Sequence, residues 1–462
     1  MKKQIIATTV SLILGGTLLQ TALAENNTML MLIDALYKSG SINPEAYEAL
    51  RKSAKTDIEM AKVDLEKQKL EKEKASASEL EFSTKDGLKV QTKDKKFKFQ
   101  FGGRLMADAA FFNNDKGSGL NDGTEFRRAR FYAKGTLYND WLYKLQYDFT
   151  GSGTSGIRDA YIKYTGLKPW GMPLNITAGN FKQSFGLSEL TSSRFITMME
   201  RPMVLEAFAP SRKMAFGLGT HGNDWTANIS AHGDSVSTSN TTADEGRGTI
   251  ARITYGPKLS ESTQIHLGLA GGYEVPQNNK VQFKSRPEAH LANHRLLDTG
   301  TISNVNNYTL FGAEAAVVFG PFSLQSEYMR ADLTRDGGNK DATFDGYYAT
   351  ASYFLTGESR NYIAKKGVFG RVKPNRNFDL KGGWGAWELA TRFSNLDLND
   401  SGINGGEIDT FSAGINWYAN PHVRFMANYV NVLNLDGGLN LDGKNNDAQE
   451  PDLVEFRAQL DF

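Results

Sequence analysis

From about residue 97 to the end of the chain, apolar residues recur at every second position in segments of about ten residues. Phe97, Phe99 and Phe101 alternate with Lys98 and Gln100. Trp141, Tyr143, Leu145, Tyr147 and Phe149 alternate with Leu142, Lys144, Gln146 and Asp148. The same period runs through Trp225–His232 and Val423–Tyr429. A period of two puts one apolar and one polar face on an extended strand. Strands of about ten residues with one apolar face suit a tilted crossing of a bilayer, whereas sandwich strands run nearer to about five or six. About sixteen such segments begin near residues 97, 126, 141, 157, 172, 214, 224, 247, 263, 307, 322, 343, 383, 407, 422 and 452. The expected fold is all-β: a transmembrane antiparallel β-barrel of about 16 strands, preceded by a helical N-terminal segment.

The connections alternate in length. Asn139-Asp140, Gly222-Asn223 and Gly320-Pro321 are tight, while the links near 113–124, 180–213, 234–246, 275–306 and 434–451 are long and polar. Short periplasmic turns and long outer loops give this rhythm. Residues 356–382 break it, being long where a short turn is due. The last segment carries Val454, Phe456, Ala458, Leu460 and Phe462 on one face and Glu455, Arg457, Gln459 and Asp461 on the other. Such a strand is expected to pair with the first and remove both sheet edges.

The N-terminal region reads differently. Lys2 and Lys3, an apolar run from Ile5 to Leu19 and Ala22-Leu23-Ala24 form the pattern of a cleavable signal peptide, residues 1–24. Residues 25–92 read as a helical segment, with helices over 28–38 and 44–75 broken at Ser39-Gly40-Ser41 and Pro44. The second carries a thin stripe of Tyr47, Leu50, Ala54, Ile58, Ala61 and Leu65. That spacing suits either a weak coiled-coil seam in a periplasmic stalk or a solvated single helix. The barrel is expected over 93–462.

Composition narrows the chemistry. A mean hydropathy of −0.44 is compatible with a barrel, because polar lumen residues dilute the lipid-facing ones. With no cysteine, a disulfide, a thiol nucleophile and a thiolate metal site are impossible. Of 53 basic residues, Lys2 and Lys3 leave with the signal, so 53 − 2 = 51 face 52 acids. Any preference for charged solutes must therefore come from where the charges sit. No basic stripe supports nucleic-acid binding. His290 and His294 lack the intervening Glu of a zinc helix, and the stretch from Asp397 through Asn399, Ser401 and Gly402 has Ile408 where a calcium loop needs Glu. No nucleophile motif marks an enzyme, and no metal or other cofactor is expected.

The chemistry concentrates elsewhere. Residues 181–215 do not alternate and carry Thr191-Ser192-Ser193-Arg194, Glu200-Arg201-Pro202 and Ser211-Arg212-Lys213. They follow the fifth strand, where a loop folded inward would narrow a wide channel. In the second strand the parity of Ala129, Phe131 and Ala133 aims Arg128, Arg130, Tyr132 and Lys134 into the lumen. Arg127 then falls on the lipid side and needs a bulge or a place at the strand mouth. Arg104, Arg252 and Arg424 also fall on lumen parity, as do Asp108, Asp148 and Asp159. Guanidinium groups suit oxyanions, but arginines paired to acids for simple charge balance fit the pattern as well.

These residues resemble those of a known family, the phosphate-selective porins of the O and P type. The resemblance spans roughly residues 97–462. It is carried by Phe101-Gly102-Gly103-Arg104-Leu105, Phe126-Arg127-Arg128-Ala129-Arg130, Trp141 through Phe149, Arg158-Asp159-Ala160-Tyr161, Phe185-Gly186-Leu187, Thr191 through Phe195, Met199-Glu200-Arg201 and Gly385 through Ala390. It implies a sixteen-stranded outer-membrane barrel, a homotrimer, and a path for small anions such as phosphate. The implied constriction comprises Arg127, Arg128 and Arg201, with Arg104, the hydroxyls of Ser192 and Ser193, and the acid Asp159. Arg247 and Arg252 are candidates for the lumen entry. The family's constriction lysine is missing at its place near Thr191, where Glu189 stands. The expected function is passive diffusion of small hydrophilic solutes across the Gram-negative outer membrane with anions preferred. The rivals are a general or cation-preferring porin, or a barrel adhesin or enzyme built on the long loops.

Overall fold

The computed structural model describes residues 28–77, 79–84, 87–113, 120–234, 236, 244–292, 294–437 and 450–462. The expected signal peptide, 1–24, lies outside the described residues. The chain divides into two compact units, residues 1–81 with 91–96, and residues 82–90 with 97–462.

In the first unit, α1 covers residues 28–38 and α2 runs over Pro44–Ala77. Asn43 caps α2, its Oδ1 accepting from Ala46 N at 2.8 Å. Tyr47 stacks on Tyr37 at 4.2 Å and donates to Asp34 at 2.8 Å, which pins the two helices at the turn. Along α2, Ala54 is buried and Ile58, Ala61 and Leu65 are half-buried, while Leu50 of the expected stripe is exposed. No helix of the described residues is long and apolar enough to cross a membrane. The tail of the segment read as helical holds two short strands instead, Leu80–Ser83 and Leu88–Thr92.

The second unit is a closed barrel of 16 antiparallel strands. In chain order they are β1 (Lys98–Asn113), β2 (Gly123–Leu137), β3 (Trp141–Asp148), β4 (Ile157–Leu167), β5 (Leu174–Lys182), β6 (Arg212–His221), β7 (Trp225–His232) and β8 (Arg247–Tyr255). β9 (Thr263–Val275), β10 (Val305–Phe319), β11 (Phe322–Arg335), β12 (Ala342–Phe354), β13 (Ala386–Asp400), β14 (Ile403–Asn420), β15 (Val423–Asp436) and β16 (Asp452–Asp461) follow. Every strand pairs with its sequence neighbours, and β16 closes on β1 with Val454 opposite Phe111 and Leu460 opposite Leu105. Closure satisfies the backbone groups that lipid cannot. Phe462 exchanges two backbone bonds with Gly103, at 3.0 and 3.1 Å, and its ring packs between Phe101 and Phe131. A Cβ at Gly103 would lie 2.7 Å from the Phe131 ring and 2.9 Å from the Phe462 ring, so the closing seam requires glycine there.

The outward faces carry the exposed aromatics and aliphatics, among them Phe101, Phe131, Leu145, Phe216, Ile253, Leu269, Phe311, Tyr347, Phe425 and Phe456. The lumen is not simply polar. Two of the long loops fold into it, residues 183–211 between β5 and β6 and residues 276–304 between β9 and β10. Phe185, Met203, Leu205 and Phe208 of the first pack with Phe283, Leu296 and Leu297 of the second. They meet inward side chains of the wall, Leu310, Met329, Phe344, Leu396 and Ile408. This apolar core fills one side of the barrel and leaves the β1–β8 side open.

Within residues 356–382, which break the rhythm of short turns, the stretch 362–369 also enters the barrel, while residues 375–382 are exposed. His266 and the Tyr362 hydroxyl meet at 2.6 Å, Arg252 donates to Gly367 O at 2.9 Å, and Phe369 packs with Leu187, Ala316 and Val318. The segment exceeds a turn because residues 362–369 form a lining element.

Candidate functional site

The short helix α3 (Leu187–Leu190) begins the first inward loop, after Gly186 at φ 80°. Its first amides have no partner within the helix. Glu327 on β11 accepts both, from Leu187 N at 2.7 Å and Ser188 N at 2.8 Å, and is itself held by the Tyr348 hydroxyl at 2.5 Å. Beyond α3 the loop presents carbonyls to the far wall. Arg424 donates to Ile196 O at 2.8 Å, Asn416 to Thr197 O at 2.9 Å, Arg392 to Glu200 O at 3.0 Å and Gln459 to Arg194 O at 3.2 Å, while Arg457 donates to Met199 O. The helix α4 (Met203–Phe208) then enters the apolar core. The loop is thus pinned along its length and faces the open side of the barrel with a fixed set of side chains.

That open side is a cavity of about 690 Å³. All seven residues expected at the constriction line it: Arg104, Arg127, Arg128, Asp159, Ser192, Ser193 and Arg201. Arg127 reaches the lumen through a bulge, because Met106 pairs with Arg128 and Ala107 with Phe126, leaving Arg127 as the extra residue. Arg104 donates to Ser193 Oγ at 2.6 Å. Arg127 makes a bidentate pair with Glu200, at 2.8 and 2.9 Å, and Arg128 approaches the same carboxylate at 3.5 Å. Arg457, clamped on Asp108 at 2.7 and 2.6 Å, adds a third guanidinium to Glu200 at 2.7 Å. Asp159 accepts from Arg212 at 2.7 Å and from Lys144.

Arg201 is tied to the loop itself. Its Nε meets Ser188 O and Glu189 Oε2, both at 2.9 Å, and its Nη2 meets Thr191 O at 2.9 Å. Lys182 closes on the other oxygen, Glu189 Oε1, at 2.9 Å. Burial alone would push the Glu189 carboxyl up, but Arg201 and Lys182 outweigh it and hold it down at about 2.

The two entry candidates separate. Arg252 lines the cavity but is buried, bound bidentately to Glu314 at 2.8 and 2.6 Å. Arg247 is exposed on the outward parity with Thr249, Ala251 and Ile253, so it is not a lumen residue. The reason is arithmetic: the two arginines are five residues apart on one strand, and an odd separation puts them on opposite faces.

The sequence reading missed several contributors. Lys144 lay on lumen parity in plain view. Lys182 and Arg212 lie near the two ends of the non-alternating stretch 181–215, and Glu200 lies in Met199-Glu200-Arg201, whose sequence assigns it no role. Lys365 and Lys366 come from the inward stretch 362–369, whose placement no periodicity signals; both line the cavity, and both are exposed. With Arg130, Arg158 and Lys163, the cavity is lined by thirteen Arg and Lys side chains against two carboxylates, Asp159 and Glu189. Among the described residues Arg104, Lys163, Lys365 and Lys366 have no carboxylate within ion-pair distance. Nor does any cluster of three or more His, Cys, Asp or Glu among them form a metal-holding group.

Comparison with known proteins adds lineage. A family model described as phosphate-selective porin O and P matches residues 99–462. Porin O of Pseudomonas aeruginosa is 31% identical over 391 residues, covering 76% of this chain and 87% of that protein. An uncharacterized protein of Caulobacter vibrioides is 30% identical over 404 residues, covering 84% of this chain and 78% of its own. Among solved structures, an anion-selective porin from Comamonas acidovorans superposes with a TM-score of 0.50 at 15% identity, over 79% of this chain and 100% of that one.

Proposed function

This chain belongs to the phosphate-selective porin O and P family, and from that premise we propose that its pore prefers anions, phosphate among them. It is a porin of the Gram-negative outer membrane, a channel for small hydrophilic solutes. One observation carries the preference: thirteen cationic side chains and two carboxylates line one cavity of the lumen. A low-dielectric wall with one excess sign focuses the field and raises the local concentration of the opposite ion. An anion entering a narrow stretch sheds water, and fixed guanidinium and ammonium groups replace those contacts. Charge-assisted bonds contribute about 1.5–3 kcal/mol each, enough for two or three to offset part of the dehydration while still allowing release.

Arg104, with Ser192 and Ser193, and Arg127, Arg128 and Arg201 form the constriction in this reading. Arg127 and Arg128 answer to Glu200, which fixes them in place and tempers their charge, whereas Arg201 answers to Glu189 in the cavity wall and Arg104 to the Ser193 hydroxyl. The channel acts by passage and performs no covalent chemistry; the long loops serve to line the lumen. The assembly is a homotrimer, as the family resemblance implies. The helical segment 25–92 is a periplasmic stalk, supported by its separate period and by the three-and-four spacing of Ala54, Ile58, Ala61 and Leu65. Residues 1–24 are its removable leader.

The test is single-channel recording in planar bilayers. The reversal potential in a potassium chloride gradient should mark chloride as the permeant ion, and added phosphate should block chloride current. Replacing Arg127, Arg128 and Arg201 together with Ala should raise total conductance and weaken that block. A cation-marked reversal potential in the unmodified protein would defeat the preference. Unchanged potential and block in the triple variant would defeat the residue assignment alone.

A further inference from the structure

Glu189 stands out among the cavity's charges because both cations on its carboxylate are also positioned by backbone carbonyls. Arg201 is already positioned by backbone: Ser188 O and Thr191 O at 2.9 Å each and Glu189 O at 3.2 Å. Lys182 Nζ is likewise caught by the Glu189 carbonyl. Those bonds would persist without the Glu189 side chain. What the side chain does is place one oxygen on each cation, Oε1 on Lys182 and Oε2 on Arg201, both at 2.9 Å. The second cavity acid, Asp159, behaves differently: Lys144 and Arg212 meet its carboxylate, and no backbone carbonyl is bound by either. Asp159 holds its cations in place, whereas Glu189 occupies a site that its cations would form without it.

We infer that Lys182 and Arg201 form a preorganised oxyanion site in the channel wall, and that the Glu189 carboxylate is a tethered counter-ion occupying it. The ligand class is an oxyanion presenting two oxygens side by side, inorganic phosphate being the simplest. Because the tethered group is present at an effective concentration no dilute solute matches, it competes continuously. It sets the affinity low and so favours release over retention. The inference rests on the reading of the barrel as an anion-preferring channel.

The experiment is titration of chloride current with inorganic phosphate in the full-length channel, comparing wild type, Glu189→Gln and the double variant K182M/E189Q. In Glu189→Gln the two cations face the path unopposed, and the phosphate concentration for half-block should fall at least tenfold. In K182M/E189Q the net local charge equals that of wild type, since one charge of each sign is removed. Half-block should still occur at lower phosphate than in wild type, because Arg201 is no longer occupied. Half-block unchanged or raised in Glu189→Gln overturns the inference; should that variant fail to insert, an unchanged or raised value in K182M/E189Q overturns it. The wild-type reversal potential, measured alongside, separates the two levels. A cation-preferring wild type sinks the channel reading, while an anion-preferring wild type with unresponsive variants sinks only the role of Glu189.

Discussion

Replacing Glu327 with Ala should loosen the start of the constriction loop without disturbing its far end. The Glu327 carboxylate accepts the Leu187 and Ser188 amides at 2.7 and 2.8 Å, in a wall position that is 1% exposed. Hydrogen bonds of this kind contribute about 0.5–1.5 kcal/mol each, so the pair contributes about 1–3 kcal/mol to docking α3. At about 1.4 kcal/mol per factor of ten, local opening should become about one to two orders of magnitude more frequent. Hydrogen exchange read by mass spectrometry reports this directly, as faster exchange in residues 183–191. The segment 194–200 should keep its protection, because Arg424, Asn416, Arg392 and Gln459 hold its carbonyls independently. Glu327→Gln retains one carbonyl acceptor and should fall about midway. Tyr348→Phe leaves both amides bonded and should change exchange by less than about tenfold. Unaltered exchange over 183–191 in Glu327→Ala would refute the anchor. Equal acceleration over 194–200 would refute the claim that the loop is pinned at separate points.

Three further outcomes follow from the same geometry. Replacing Lys365 and Lys366 with Ala should reduce anion preference at low salt and have little effect near about 1 M, where screening acts within about 3 Å; reversal potentials at two ionic strengths check this, and a salt-independent loss would place the lysines in direct contact with the ion. Glu189, held at about 2 against an ordinary 4.5, stabilises the loop fully only well above 4.5 and loses that contribution progressively as pH falls from about 4.5 through about 2. Protection of residues 183–191 should therefore be the same at pH 7 and pH 6 after correction for intrinsic exchange and should fall between pH 4 and pH 2, and a clear loss already at pH 6 would show that the ion pair is weaker than its geometry. Deleting residues 25–77 should leave a chain that inserts and conducts, since α1 and α2 supply no barrel strand; insertion without conductance would make the helices part of the pore.

The sequence by itself determined the barrel. Side chains on a strand alternate except at bulges, so a lipid-facing set of residues writes its period into the chain, and sixteen segment starts read from that period fall within about four residues of the observed strands. The same rule carried the parity of Arg104, Arg128 and Arg252 and demanded a bulge at Arg127, which the pairing of Met106 with Arg128 supplies. It also puts Arg247 and Arg252, five residues apart on one strand, on opposite faces. Tertiary structure decided what fills the lumen. The loops at 183–211 and 276–304 and the segment 356–382 have no period, because their side chains answer to a wall contributed by strands far away in sequence. Glu327 meets Leu187 and Ser188 across 140 and 139 positions, and Arg457 meets Glu200 across 257. Which cations face the path, which are paired, and which carboxylate occupies an anion's place depend on those distant encounters, and only the closed barrel brings them about.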